Sequence, residues 1–113
     1  MGCVKTTGAE PTRASWDRAL NQVFEFLGKR WNGVILGSLV AGPASFSGLA
    51  RTVGGISDSV LSERLAGLVE GGLVVRSVCA GPPVAVIYDL SDRGKALIPA
   101  LTELTRWAER YPC

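Results

Sequence analysis

The stretch SFSGLARTVGGISDSVLSERLAGLVEGG, residues 45–72, decides how the rest of the chain is read. Leu49, Ala50 and Val53 form a short apolar face that ends at Gly54-Gly55, and Ser47 stands where a helix cap is needed. Ser57 opens a second segment, in which Val60, Leu61, Leu65, Leu68 and Val69 recur at helical spacing. Gly71-Gly72 stops it. Two short helices joined by a glycine turn have the pattern of a helix-turn-helix, whose second helix enters the major groove of DNA.

The period changes after Gly72. Leu73 to Cys79 and Val84 to Leu90 are rich in β-branched residues and are separated by Ala80-Gly81-Pro82-Pro83, which predicts a β-hairpin. Upstream, Ser15 is placed to cap a first helix carrying Trp16, Leu20, Val23, Phe24 and Leu27 and ending near Gly28. A second helix is expected over Arg30 to Val40, burying Trp31, Val34, Ile35 and Leu39, until Gly42-Pro43 breaks it. Downstream, Ser91 or Asp92 caps a last helix reaching about Tyr111, with Leu97, Leu101, Leu104, Ala108 and Tyr111 along one stripe. Pro99 is expected to kink that helix or to mark its true first turn.

Residues 1–14 read as a flexible N-terminal arm and 15–113 as one domain. Four helices, a hairpin and a final helix give an α+β fold, mostly α, of winged helix-turn-helix plan with extra N- and C-terminal helices.

Composition sets the limits. A chain of 113 residues with 47% apolar and 19% charged residues is a globular single domain rather than a disordered segment. The formal charge of +2 is too small to announce nucleic-acid binding by itself. In the central stretch, however, Lys29, Arg30, Arg51, Arg64 and Arg76 face only Asp58, Glu63 and Glu70.

No run of 18 apolar residues predicts a membrane span, and the first fifteen residues lack the apolar core of a secretory signal. Met1 to Thr6 fits the short myristoylation pattern, which needs a eukaryotic host and is read as a coincidence. Three widely spaced cysteines do not make a secreted disulfide framework, so the cytoplasm is expected. Without any histidine, the usual catalytic triads and zinc sites lose a partner, and Gly54-Gly55 lacks the lysine of a phosphate loop. Neither an enzyme nor a bound cofactor or metal is expected.

The candidate DNA contacts follow from the motif. Ser57, Asp58, Ser59, Ser62 and Glu63 occupy the early, polar side of the fourth helix. There hydroxyls can donate or accept, and carboxylates can accept from a cytosine amino group. Ser45 and Ser47 stand at the start of the third helix. Lys29, Arg30, Arg64 and Arg76 are candidate phosphate contacts. The same polar residues are also what the solvated side of any amphipathic helix requires. Trp31 and Trp107 sit in apolar stripes and are read as core packing rather than base stacking.

Phe26-Leu27-Gly28-Lys29-Arg30-Trp31, Ile35-Leu36, Leu39, Gly42-Pro43 and Phe46 closely resemble the opening of HxlR-type regulators. Ile56-Ser57, Val60-Leu61-Ser62-Glu63-Arg64-Leu65 and Leu68 resemble that family's recognition helix. Pro83, Val84, Tyr88, Leu90, Gly94, Leu97, Pro99, Leu101, Leu104 and Trp107-Ala108 continue the likeness, which runs from about residue 16 to 111. The resemblance implies a bacterial cytoplasmic homodimer, built by its N- and C-terminal helices, that binds double-stranded DNA at a palindromic operator, usually as a repressor.

It is similar above all to the quinone- and diamide-responsive members, which implies redox sensing by a thiol before the first helix and another near the C-terminus. Cys113 lies close to the second position, whereas the first falls near Asp17 and Cys3 lies in the arm. An arm of this length could still bring Cys3 to Cys113 of another subunit. Cys79, near the hairpin tip, is the third redox candidate. An electrophile or another small molecule is the implied inducer. Two other readings stay open: a winged-helix protein-interaction module without DNA binding, and a regulator induced by a ligand held between the dimer helices among Trp and Phe side chains.

Overall fold

The computed structural model describes residues 13–112. The expectations for the arm, Cys3 and Cys113 therefore fall outside the described residues, apart from Arg13 and Ala14. Five helices and three strands follow in the order α1 (Arg13–Leu27), α2 (Asn32–Ser38), β1 (Ala44–Ser45), α3 (Phe46–Val53), α4 (Asp58–Glu70), β2 (Val74–Cys79), β3 (Ala85–Leu90) and α5 (Asp92–Arg110).

The core is aliphatic. Ile35, Leu36 and Leu39 of α2 and its C-terminal turn meet Leu49 of α3 and Leu61, Leu65 and Leu68 of α4, with Leu73, Val74 and Leu90 closing the base of the hairpin. Each fully buried aliphatic side chain contributes roughly 1.5–3 kcal/mol relative to exposure, so these residues hold the three central helices together.

The strands form an antiparallel sheet in the order β1-β3-β2. β2 and β3 pair from Val74 opposite Leu90 out to Cys79 opposite Ala85. A third strand, β1, not expected from the sequence, pairs Ala44 with Tyr88 and Ser45 with Ile87. A strand of two residues is too short to show alternation. The arrangement of α2, α3, α4 and the sheet is a winged helix-turn-helix, flanked by α1 and α5.

Several expected boundaries move. α1 begins at Arg13, ahead of the proposed cap Ser15. α2 begins at Asn32 rather than Arg30, because Trp31 adopts φ 86°, which no helix can include. It closes early through tight turns, with Val40 N–H bonded to the Gly37 carbonyl at 3.2 Å. α3 is capped by Ser45, whose Oγ accepts from Gly48 N–H at 3.1 Å, and not by Ser47. Of the two caps offered for α5 the structure selects Ser91, whose Oγ accepts from Gly94 N–H at 3.0 Å and donates to the Gly72 carbonyl at 2.6 Å. Pro99 lies inside α5, so it does not mark the first turn.

Burial departs from expectation where the flanking helices are concerned. Val34 is 53% exposed instead of packed, and on α1 Leu20 and Phe24 are exposed. On α5 the stripe is half-buried at Leu97 and Leu101 but open at Leu104 and Trp107. Trp107 is thus not a core residue of this chain; its ring lies 6.0 Å from that of Tyr111. Among the described residues no helix is long and apolar enough to cross a membrane.

Candidate nucleic-acid interface

Both helices of the turn motif start with the same local device. Ser45-Phe46-Ser47-Gly48 and Ser57-Asp58-Ser59-Val60 each place a cap oxygen on the backbone N–H three residues on, at 3.1 and 3.2 Å respectively. In each, the hydroxyl two residues later lies 3.4 Å from the cap oxygen. The oxygens of Ser45 and Ser57 thus each fix a helix start. Ser47 and Ser59 stand exposed beside them.

On α4 the core side is Leu61, Leu65 and Leu68, and the opposite side is Ser59, Glu63, Ala66 and Glu70, spaced by four, three and four residues. Asp58 and Ser62 are also exposed. The predicted polar face thus exists as a continuous surface on a helix whose first turn is anchored by a cap. A capped N-terminus with its dipole outward is favourable for approaching an anionic backbone.

The exposed cations stand on other elements rather than along this helix. Lys29 and Arg30 are exposed in the turn between α1 and α2, with the Arg30 guanidinium 4.6 Å from the centre of the Trp31 ring. Arg76 is exposed on β2, in register with Tyr88, two pairs out from the base of the wing. Arg64 differs from the other candidates. Its side chain is 23% exposed, and its Nη1 donates to Glu63 Oε1 at 3.2 Å. With Glu63 and Glu70 of the same helix it lines a groove that faces Glu25, Phe26, Lys29 and Asn32 of the α1–α2 region.

Residues outside the sequence-derived set also shape this surface. Arg51, exposed in the last turn of α3, adds a cation beside the motif. Its charge was visible in the sequence, but a solvated helix end gives it the same appearance. Asn32, only 4% exposed, donates from Nδ2 to the Phe26 carbonyl at 2.8 Å and so fastens the end of α1 to the start of α2. Nothing in a lone asparagine signals this, since the bond depends on the turn geometry set by Trp31.

The sequence pattern of the HxlR-like helix-turn-helix family matches residues 26–112. The chain belongs to this family. The HTH-type transcriptional regulator YodB of Bacillus subtilis (strain 168) is 39% identical to it over 92 residues, covering 81% of this chain and 82% of that protein. The reduced form of YodB from B. subtilis has a TM-score of 0.78 at 38% identity, over 83% of this chain and 92% of that one. Its diamide-treated form has a TM-score of 0.73 at 39% identity, over 82% and 92% of the two chains. The α4 just described is thus the second helix of a family helix-turn-helix, and the hairpin is its wing.

The flanking helices carry a second surface. An apolar groove of about 540 Å³ runs between α2 and α5, lined by Gly33, Val34, Gly37, Ile98, Leu101 and Leu104 among others. Added side-chain carbons at Gly33 and Gly37 would meet nothing within 4 Å, so the groove is open to its floor. Neither Trp nor Phe lines it, unlike the ligand pocket envisaged from the sequence.

Proposed function

We propose that this HxlR-type protein is a sequence-specific transcriptional regulator, acting in the bacterial cytoplasm as a homodimer on a palindromic operator and repressing the genes there. The observation that carries this reading is the capped, core-anchored α4 with an exposed polar face, accompanied by exposed Lys29, Arg30, Arg51 and Arg76 on other elements of the fold. In the working complex the early turns of α4 lie in the major groove, and the surrounding cations contact phosphates. The low net charge is compatible with this, since a dimer doubles the number of phosphates neutralised.

Dimerisation is supported by apolar surface that a single chain leaves in water. Leu20 and Phe24 on α1, Val34 and Val40 near α2, and Leu104 and Trp107 on α5 are all exposed. Their burial against a second copy in a two-fold dimer would supply the pair of α4 helices that a palindrome demands.

Thiol control is the further part of the reading, drawn from the diamide-treated state of the YodB relative. Cys79 is exposed at the end of β2, next to the wing tip. The experiment is a binding titration on DNA upstream of the protein's own gene, with reduced protein and with diamide- or quinone-treated protein. Tight specific binding lost on oxidation but kept in Cys113→Ser identifies a thiol-switched repressor acting through that residue. Binding indifferent to oxidant leaves a regulator without the switch. Binding that shows no sequence preference on any promoter fragment removes the regulator reading and favours an interaction module.

A further inference from the structure

The exposed surface of α4 lacks the side chains that most often read bases. Between Asp58 and Glu70 there is no lysine, asparagine or glutamine, and the one arginine, Arg64, is half-buried. Guanine is read mainly by arginine or lysine and adenine by asparagine or glutamine, each through two hydrogen bonds. Direct purine reading by α4 is therefore without its usual agents. What the early turns do offer is the hydroxyls of Ser59 and Ser62 and two carboxylates, Asp58 and Glu63.

The two carboxylates are not equivalent. At about 100° per residue, Asp58 falls in nearly the same sector of the helix as buried Leu65, seven residues on. Glu63 falls roughly 160° from Leu65, pointing straight away from the core. It is 71% exposed, and one of its oxygens accepts from Arg64 Nη1 at 3.2 Å. This bond restrains the carboxylate from the protein side, and the guanidinium offsets its charge as it nears the phosphates. Arg64 is the less exposed of the pair, at 23% against 71%, so the acid rather than the arginine is the group presented to a DNA groove.

We propose that Glu63 is a specificity-determining residue and that each operator half-site carries a cytosine whose N4 amino group donates to its carboxylate. Serine hydroxyls accept and donate, and so discriminate between bases less sharply. A carboxylate only accepts, and so requires a base that presents a donor; of the two that do, adenine sets the N7 lone pair beside its amino group and cytosine does not. The assignment rests on α4 being the reading helix.

The test is selection from a pool of duplexes with a randomised segment, at one salt concentration, using reduced wild-type protein and the variants Glu63→Gln and Glu63→Ala. Circular dichroism checks that each exposed substitution leaves the fold intact. The wild-type motif is expected to contain a cytosine whose replacement weakens binding about tenfold. Glu63→Gln is expected to move the preference at that position to adenine, whose N6 and N7 suit a carboxamide. Glu63→Ala should make that position indifferent while the rest of the motif persists. A cytosine preference unchanged in both variants, or a wild-type motif with no cytosine that responds to them, overturns the assignment. A wild-type pool that enriches no motif removes α4 as reader altogether, and this assignment with it.

Discussion

The indole of Trp31 closes over the turn of the helix-turn-helix: a side-chain carbon placed on Gly55 would lie 3.9 Å from Trp31 Cη2. Trp31 reaches this position from a left-handed backbone, at φ 86°, and Arg30 stacks on its ring. The start of α2 is thereby braced against the link between α3 and α4. Gly55 itself has φ +69°, so the contact is with a backbone that side chains rarely adopt. Gly55→Ala should destabilise the protein by about 1–2 kcal/mol from backbone strain and not from a clash, since 3.9 Å is ordinary contact. Chemical denaturation measures this, and an unchanged midpoint refutes it.

Gly94 presents the opposite case. A side-chain carbon there would sit 2.2 Å from the Leu73 carbonyl oxygen and 3.3 Å from Leu90 Cδ2. Backbone cannot yield as a flexible side chain does, so Gly94→Ala should cost more than about 3 kcal/mol, in the range of the worst overpacking changes. The expected result is loss of soluble protein or a cooperative transition at much lower denaturant. A variant as stable as wild type would mean that α5 does not start against Leu73.

Gly37 tests the dimer. Its added carbon meets nothing within 4 Å, so Gly37→Leu fills the groove between α2 and α5 without disturbing the chain's own core. Sedimentation is expected to show a folded monomer that has lost operator affinity. If the variant remains fully dimeric, the groove is not part of the subunit contact.

The caps and the cations should separate by their salt response. Ser57→Ala removes the bond to Val60 N–H and should cost about 1 kcal/mol of stability. Ser59→Ala and Ser62→Ala should relax operator preference with little effect on stability. Arg51→Ala or Arg76→Ala should weaken all DNA alike and reduce the salt slope by about one for each phosphate no longer neutralised. Chemical denaturation reads the first outcome, and titrations on operator and random DNA at several salt concentrations separate the other two. A preference untouched by both serine changes would remove those hydroxyls from the reading face.

Much of the architecture was legible because it rests on local chemistry. Ser57, Ser91 and the glycine stops carry their meaning in their immediate neighbours, and the hairpin declares itself by composition. The cap of α3 was misplaced because Ser45 and Ser47 are both competent, and only the pairing of β1 with β3 brings Ser45 into position. The shortened α2 was hidden because Trp31 takes a backbone conformation that its residue type does not advertise. The stripes on α1 and α5 were visible as stripes. Which part of each the chain itself covers depends on how far the helices project beyond the core, and no spacing rule encodes that.

Ser45 belongs to two units at once: as the last residue of β1 it is tied to Ile87, and as a cap it holds the first turn of α3. The wing and the supporting helix of the motif consequently share a rivet. A torque applied to the hairpin, whether by a minor groove or by chemistry at its tip, is delivered to α3 without passing through the core. The hairpin and α3 then move as one piece, and a displacement of either is felt at once by the other.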